Sequence, residues 1–254
     1  MKITFLGTGT SQGVPVVACN CLVCLSDNSK DKRLRTSIMV EHLGQNLVID
    51  SGPDFRQQML REEVQKLDAL LLTHEHKDHI AGLDDIRAFN YISKQKLDVY
   101  AVERVQEAVK REFHYIFSGE NYPGIPKINL LTIHNQPFQA AGMHITPIEV
   151  LHYKLPVMGF RIQDFTYITD ANFIGSEEME KIRGSKVVVI NALRHEKHIS
   201  HFNLEEAIAI LEDLKPKKAY LTHISHQLGL HDEINKKLPH FIKCAYDGLQ
   251  IDLD

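Results

Sequence analysis

Thr73-His74-Glu75-His76-Lys77-Asp78-His79, read as THEHKDH, is the stretch on which the fold turns. It follows DALLLT (68–73), a short apolar run of strand character, and leads into HIAGLDDIRAFNYI (79–92), whose apolar spacing predicts a helix. In extended backbone, alternate residues share a side, so His74 and His76 point together. Asp78 and His79 open the helix, where a carboxylate is favoured by unpaired N–H groups. Imidazole and carboxylate donors converging at a strand end suit Zn²⁺ or Mn²⁺. Four donors in six residues cannot all wrap one ion, so two adjacent ions are expected. Exposed loops carry histidines too, but not commonly at this spacing between a strand and a helix.

Outward from the motif, strands and helices alternate along the whole chain. KITFLG enters a Gly-rich turn; SIMVEH and NLVID flank the turn Leu43-Gly44-Gln45; FRQQMLREEVQKL (55–67) has helical spacing. Beyond the motif come the strand LDVYAV, a helix over 103–117 and a Gly/Pro loop, SGENYPGIPK (118–127). MHITPIEVLH, MGFRIQ and FTYITD read as strands, EEMEKIR as a short helix and KVVVINAL as a strand. NLEEAIAILEDL (helix), KKAYLTH (strand), a helix near DEINKKL and the strand GLQIDL complete the chain. There is no internal repeat and no linker. Strands mixed with helices throughout predict an α/β fold with helices covering sheets.

With 43% hydrophobic and 24% charged residues over 254 positions, a packed core is expected. Lys plus Arg number 29 against 33 Asp plus Glu, a net charge of −4, which argues against an extended nucleic-acid surface. The start MKITFLGTGT enters a strand directly, without the pattern of a secretory leader, and no apolar run approaches the length of a membrane span. A cytoplasmic location and no membrane partner are expected. There, clustered cysteines hold metal more often than they form disulfides.

THEHKDH resembles the H-x-H-x-D-H motif of the metallo-β-lactamase superfamily, and the resemblance runs over nearly the whole chain. It implies an αββα sandwich of two mixed sheets with helices on the outer faces, as one hydrolase domain over residues 1–254. The family's further metal residues match Asp170 in TYITDA, His152 in EVLHYK and His223 in YLTHISH, each ending a strand-like run. By that carry-over His74, His76 and His152 hold one ion, and Asp78, His79 and His223 the other, with Asp170 bridging. Asp50, in LVIDSG, would orient a ligand rather than bind metal.

CNCLVC (19–24) holds three of the chain's four cysteines. Cys19, Cys21 and Cys24 supply three thiolates where a structural zinc wants four ligands. Cys244, in FIKCAYD, and His226, in THISH, are both candidates to complete it. GTGTSQGVPVVACNCLVC with LTHISHQ resembles a narrower group, the phosphoribosyl 1,2-cyclic phosphate phosphodiesterases of the carbon–phosphorus lyase pathway. That resemblance implies a Cys3His structural zinc closed by His226, with Cys244 as a core cysteine.

The same resemblance implies a phosphodiesterase acting on a small, cyclic phosphodiester such as 5-phosphoribosyl 1,2-cyclic phosphate, through a hydroxide bridging two Zn or Mn ions. Asp78 and His201 are the residues expected to serve the chemistry, His201 (in ISHFNLEEAI) as the acid for the leaving oxygen. Lys154 and Arg87 are cations that could meet a phosphate or be solvated charges, and neither is assigned. The sequence itself does not give the oligomeric state; the resemblance implies a homodimer. Competing readings are an RNA-processing enzyme of the tRNA 3′-endonuclease type, a glyoxalase-II-type thioester hydrolase, and a non-catalytic metal-binding protein resembling pyrroloquinoline quinone biosynthesis protein B. The complete donor set favours an enzyme, the cysteine cluster disfavours the thioesterase, and His76 disfavours a redox diiron centre.

Overall fold

The structure, a computed structural model, describes residues 1–119 and 123–253. Glu120, Asn121 and Tyr122, within the loop expected over 118–127, lie outside the described residues.

The first half of the chain builds one sheet and its helices. Its strands are β1 (Lys2–Gly7), β2 (Ser37–His42), β3 (Gln45–Ile49), β4 (Ala69–Leu71), β5 (Leu97–Ala101) and β6 (Ile128–Thr132). Its helices are α1 (Phe55–Arg61), α2 (Lys77–Ile80), α3 (Arg87–Ser93), α4 (Glu103–Glu112) and α5 (His114–Phe117). The second half supplies β7 (Phe138–Ala140), β8 (Met143–His152), β9 (Leu155–Ile162), β10 (Phe165–Tyr167), β11 (Phe173–Ile174), β12 (Val187–Asn191), β13 (Lys218–Thr222) and β14 (Ile242–Cys244). With them run α6 (Ser176–Ile182), α7 (Leu204–Leu214) and α8 (His231–Lys237), and β15 (Gln250–Asp252) returns to the first sheet.

The sheet orders are β15-β1-β2-β3-β4-β5-β6 and β11-β8-β9-β10-β12-β13-β14, with β7 beside β8. Each sheet is mixed. The pairings from β15 to β3 are antiparallel and those from β3 to β6 parallel. In the second sheet β11, β8, β9 and β10 pair antiparallel, whereas β10, β12, β13 and β14 pair parallel. Such parallel halves need cover on both faces, which explains their continuous apolar runs. Along Leu47-Val48-Ile49 and Ala69-Leu70-Leu71, alternate residues face different cores. Leu47, Ile49, Ala69 and Leu71 enter the core between the sheets, with Phe160, Tyr167 and Val189 opposite. Val48 and Leu70 face α1, α3 and α4 through Phe55, Phe89 and Val105. Val188 and Ile190 likewise turn from the central core to Leu211 of α7. The layering is helix, sheet, sheet, helix, as expected.

Three helices differ from the sequence reading; the one expected over 103–117 is interrupted at Phe113, whose φ of −117° and ψ of 42° part α4 from α5. The helix expected over 55–67 stops at Arg61. Glu63 takes a left-handed φ of 51°, with Glu63 N–H on the Leu60 carbonyl and Val64 N–H on that of Met59, a closure that ends helices. The helix expected over 79–92 breaks after Ile80, because Gly82 crosses Gly52. A Cβ on Gly82 would lie 2.1 Å from the Gly52 carbonyl oxygen. The short strands β6 and β7 do not stand out from loop by their apolar pattern, whereas the strand-like context of Cys244 is β14.

Candidate metal centre

Ligand sites in open α/β sheets lie beyond the carboxyl ends of the strands, and here six such ends meet. Asp50 follows β3, the THEHKDH loop follows β4, His152 ends β8, Asp170 follows β10, the loop carrying His201 follows β12, and His223 follows β13. Asp50, Asp170 and His223 all have left-handed backbone, with φ of 66°, 55° and 53°. Non-glycine residues rarely adopt this conformation, and it clusters at functional sites. It turns each side chain off its strand end towards the common cleft.

Two donor sets form, and a third, His152, Asp170 and His201, overlaps both. The ligand atoms of His74, His76 and His152 lie within 4.8 Å of one another, as do those of Asp78, His79, Asp170 and His223. Asp170 reaches His79 Nε2 with Oδ2 at 3.3 Å and His223 Nε2 with Oδ1 at 3.1 Å, and Asp78 Oδ2 lies 3.1 Å from His79 Nε2. The structure therefore brings together all seven residues that the resemblance assigned to the paired ions.

Hydrogen bonds set the tautomers. Carboxylate and carbonyl oxygens only accept, so their neighbours must donate. His79 Nδ1–H donates to Asp50 Oδ2 at 2.6 Å, and His152 Nδ1–H to the Ser200 carbonyl at 2.8 Å. The Thr73 hydroxyl gives its proton to Asp50, so at 3.0 Å it accepts from His74 Nδ1–H. In all three histidines Nδ1 is taken up by these bonds and Nε2 is the nitrogen left facing the cleft, the one that a metal ligand presents. His74 Nε2 then meets His76 Nδ1 at 3.0 Å, where a proton or a cation must separate the nitrogens. His79 Nε2, His201 Nδ1 and both nitrogens of His223 are buried without a hydrogen bond among the described residues. Buried polar atoms are seldom left so. Inward-facing imidazole nitrogens, carboxylates and orphaned nitrogens together fit divalent cations.

Charge follows the same pattern, and in the balance without a cation His79 is the exception: against its burial, the Asp78, Asp50 and Asp170 carboxylates hold it well above the ordinary imidazole range, so it carries the positive charge that a bound cation would replace. Burial, helped by His79, holds His74 well below the ordinary imidazole range. Burial opposes ionisation of Asp170, but His223 and His79 hold its carboxyl well below the usual range. Asp78 is likewise held low by His79 against its burial. Burial and His223 push His201 down to about 2, so its ring is neutral without an anion beside it. His201 packs 4.6 Å from the His152 ring and 4.7 Å from that of His223, with Nδ1 3.8 Å from Asp170 Oδ1.

The second cluster lies beside the first. Cys19 Sγ and Cys21 Sγ are each 3.3 Å from His226 Nδ1, and Cys24 Sγ is 3.5 Å away. A tetrahedral zinc with ordinary bond lengths spaces its N and S ligands by about 3.5 Å. A hydrogen bond from Cys24 N–H lowers the Cys21 thiol to about 6, the thiolate that zinc requires. Cys244 lies away from this group, in β14 against the core of the second sheet. The Gly-rich turn ties the two clusters: Thr10 N–H donates to the Ile224 carbonyl and Ile224 N–H to that of Thr8.

Several supporting residues were not singled out from sequence. Thr73 and Ser200 orient ligands. Asn191 clamps the turn after Asp170 by hydrogen bonds of 2.8 and 2.9 Å to the Ala171 backbone. Gly52 lets the chain pass Asp78, since a Cβ there would lie 2.1 Å from the Asp78 carbonyl oxygen. Glu75, inside the motif, pairs with Arg104 of α4. Each is a loop-to-loop contact that spacing does not reveal, although DSG directly after a strand is a usable signal. Of the unassigned cations, Lys154 borders the cleft, while Arg87 pairs with Asp84 at 2.8 Å and borders a different pocket.

Two packed mixed sheets, helices outside and metal donors gathered at one edge define the metallo-β-lactamase fold. Residues 45–224 match the Beta-lactamase superfamily domain, and the chain belongs to that superfamily. Within it the chain stands close to the PhnP group. It is 38% identical to a crystal structure described as a new diphosphatase from the PhnP family, covering 100% of this chain and 98% of that one with a TM-score of 0.94. It is 40% identical over 257 residues to an octanoyltransferase of Porphyromonas gingivalis, covering 100% of this chain but 52% of that protein, so it spans about half that relative's length. It is 22% identical over 239 residues to ribonuclease Z of Nanoarchaeum equitans, covering 86% of this chain and 74% of that protein. No helix among the described residues is long and apolar enough to cross a membrane.

Proposed function

We propose that the chain is a dinuclear-metal-dependent hydrolase that opens a small, cyclic phosphodiester such as 5-phosphoribosyl 1,2-cyclic phosphate. The observation that carries this reading is the pair of donor sets joined through Asp170. His74, His76 and His152 would hold one divalent cation; Asp78, His79 and His223 the other; Asp170 would serve both. Such a pair of cations, zinc or manganese, supplies Lewis acidity at the phosphoryl oxygens and a water that ionises near neutral pH.

The chain's own groups divide the remaining work. Asp50, Thr73 and Ser200 keep the histidine lone pairs aimed inward. His201 stands at the edge of both donor sets, where it would take up a proton beside the bound phosphate anion and return it to the leaving oxygen. Cys19, Cys21, Cys24 and His226 would hold a structural zinc that anchors the His223 loop. A cytoplasmic setting keeps those thiols reduced.

A diphosphatase is the second reading, favoured by the 38% identical PhnP-family structure; its substrate also presents a bridged phosphoryl group to the same cluster. The ribonuclease Z relative supports phosphodiester chemistry, but a net charge of −4 is poorly suited to an extended RNA. The octanoyltransferase name belongs to a protein about twice as long, and acyl transfer is not carried over.

The test is phosphorus NMR of 5-phosphoribosyl 1,2-cyclic phosphate with Mn²⁺-loaded protein, with His76→Ala as the blank. Ring opening to a single phosphomonoester, absent in the variant, is expected. Intact substrate over fully metallated protein would overturn the assignment of this substrate.

A further inference from the structure

Glu75 stands between His74 and His76, the two ligands that open the first donor set. In extended backbone it faces away from them, and its carboxylate pairs with the Arg104 guanidinium on the first turn of α4. Oε1 and Nη1 make that contact, while Glu75 Oε2 is buried with no hydrogen-bond partner among the described residues. The other guanidinium nitrogen, Nη2, donates to the Pro156 carbonyl at 2.5 Å. Pro156 lies on β9 opposite Leu151, the neighbour of His152 on β8. One side chain therefore joins the two segments that carry the first donor set, the motif loop and the β8–β9 hairpin.

The support behind Arg104 is firm. Val105 and Val109 of α4 are fully buried in the core under the helices, and the Gln106 amide donates to the Ala101 carbonyl at 3.0 Å. The second donor set takes its order from elsewhere, from Asp50 behind His79 and Asn191 behind the turn after Asp170. Neither shares a hydrogen bond with Arg104 among the described residues. Another ion pair links the same loop to α4, Lys77 with Glu112, but the Lys77 side chain is 67% exposed, and pairs in open water contribute little. The Glu75 side chain is 22% exposed, and a carboxylate oxygen out of water depends on the cation beside it.

We infer that Arg104 is a positioning residue for the first metal ion: its fork across Glu75 and Pro156 fixes His74 and His76 against His152, and so sets the affinity of that donor set and not of the other. This rests on the reading of the two donor sets as a paired-ion centre. Arginine suits the task because its planar fork holds two oxygens in one fixed geometry, whereas a lysine ammonium is a single point of charge. Without Arg104, the Glu75 carboxylate keeps a buried oxygen but loses its cation. It can reach water only by rotation of the backbone between His74 and His76, which carries both ligands with it. The Pro156 carbonyl loses its side-chain donor in the same step, so the hairpin bearing His152 is released from the motif loop.

The test reads each donor set by itself, through Mn²⁺ titration against a competing chelator. His223→Ala leaves only the first set complete, and His76→Ala only the second. In the His223→Ala protein, adding Arg104→Met should weaken Mn²⁺ binding by roughly 10- to 100-fold, the range for loss of an orienting partner. In the His76→Ala protein the same change should leave the affinity unaltered, which a general loosening of the fold would not. Arg104→Lys, which keeps the charge and not the fork, should fail to restore the first set, and Glu112→Gln should leave both affinities unchanged. Equal weakening in the two backgrounds, no weakening in either, full rescue by lysine, or an equal loss from Glu112→Gln would overturn the inference. If His223→Ala and His76→Ala bind no Mn²⁺ while Arg104 is intact, the paired-ion reading falls and the inference with it, before any change at Arg104 is made. Selective weakening of the first set in a protein that hydrolyses no phosphodiester would sustain the role of Arg104 and overturn only the hydrolytic reading.

Discussion

Asp50→Asn changes one oxygen to an amide nitrogen at the point where the site's tautomers are set. Asp50 is fully buried and accepts from Thr73 N–H at 2.9 Å through Oδ1. Its Oδ2 accepts from the Thr73 hydroxyl at 2.9 Å and from His79 Nδ1–H at 2.6 Å. Asparagine is the closest isostere and tolerates the left-handed φ of 66°, so the backbone is not strained by the change. Its single carbonyl oxygen can serve Thr73 N–H or His79 Nδ1–H, but not both. With the amide group towards His79, the ring must accept at Nδ1 and carry its proton on Nε2, facing Asp78 and Asp170. The metal-facing lone pair is then gone. Loss of such an orienting partner costs about 10- to 100-fold in metal affinity, or about 1.4–2.8 kcal/mol. Removal of a buried charged hydrogen bond should cost about 1.5–3 kcal/mol of stability in addition. Chelator-competition titration with Mn²⁺ should show one site near its wild-type affinity and the other weakened by that factor, with a lower melting temperature. Two sites of unchanged affinity would refute the assignment of His79 as a ligand oriented by Asp50.

Cys21→Ser removes one of three thiols that surround His226, and should lower the zinc content by about one equivalent and the melting temperature with it; unchanged values for both would count against the Cys3His site. Gly52→Ala would drive a methyl group to 2.1 Å from the Asp78 carbonyl oxygen, so a loss of metal affinity by at least tenfold is expected, and wild-type affinity would show that the Asp78 backbone does not set the site. Burial pushes the Asp247 carboxyl up from 3.8 to about 6, against hydrogen bonds from Leu34 N–H and the Thr8 hydroxyl. The folded state therefore holds this proton more tightly than the unfolded chain, and its contribution falls as pH rises through that window, by about 3 kcal/mol. Wild-type stability relative to Asp247→Asn, from urea denaturation, should decline between about pH 4 and 6 and level off above; a flat difference would contradict the burial argument.

The contiguity of THEHKDH made the site legible, since strand-then-helix spacing is enough to converge four donors. Asp170, His152 and His223 were legible only through their order at successive strand ends, because nothing local distinguishes a ligand from a structural histidine. The left-handed conformations at Asp50, Asp170 and His223 were not legible at all: they arise where loops are drawn together, by contacts such as Asn191 to Ala171 and Ile224 to Thr8. For the same reason the roles of Thr73 and Ser200 could not be read, as each depends on which oxygen faces which ring nitrogen. The sandwich itself was carried by runs such as LVI and ALL, whose alternate residues serve different cores. The helix expected over 79–92 failed on Gly82, whose close passage by Gly52 overrides an otherwise helical periodicity.

The most direct test of the paired donor sets is turnover of bis(p-nitrophenyl) phosphate during stepwise reloading of metal-stripped protein whose Cys3His cluster keeps its zinc. Activity should stay low through the first Mn²⁺ equivalent and rise to its plateau with the second, and His223→Ala should bind one equivalent and remain inactive. Full activity at one equivalent, or no dependence on added metal, would contradict a two-ion phosphodiesterase.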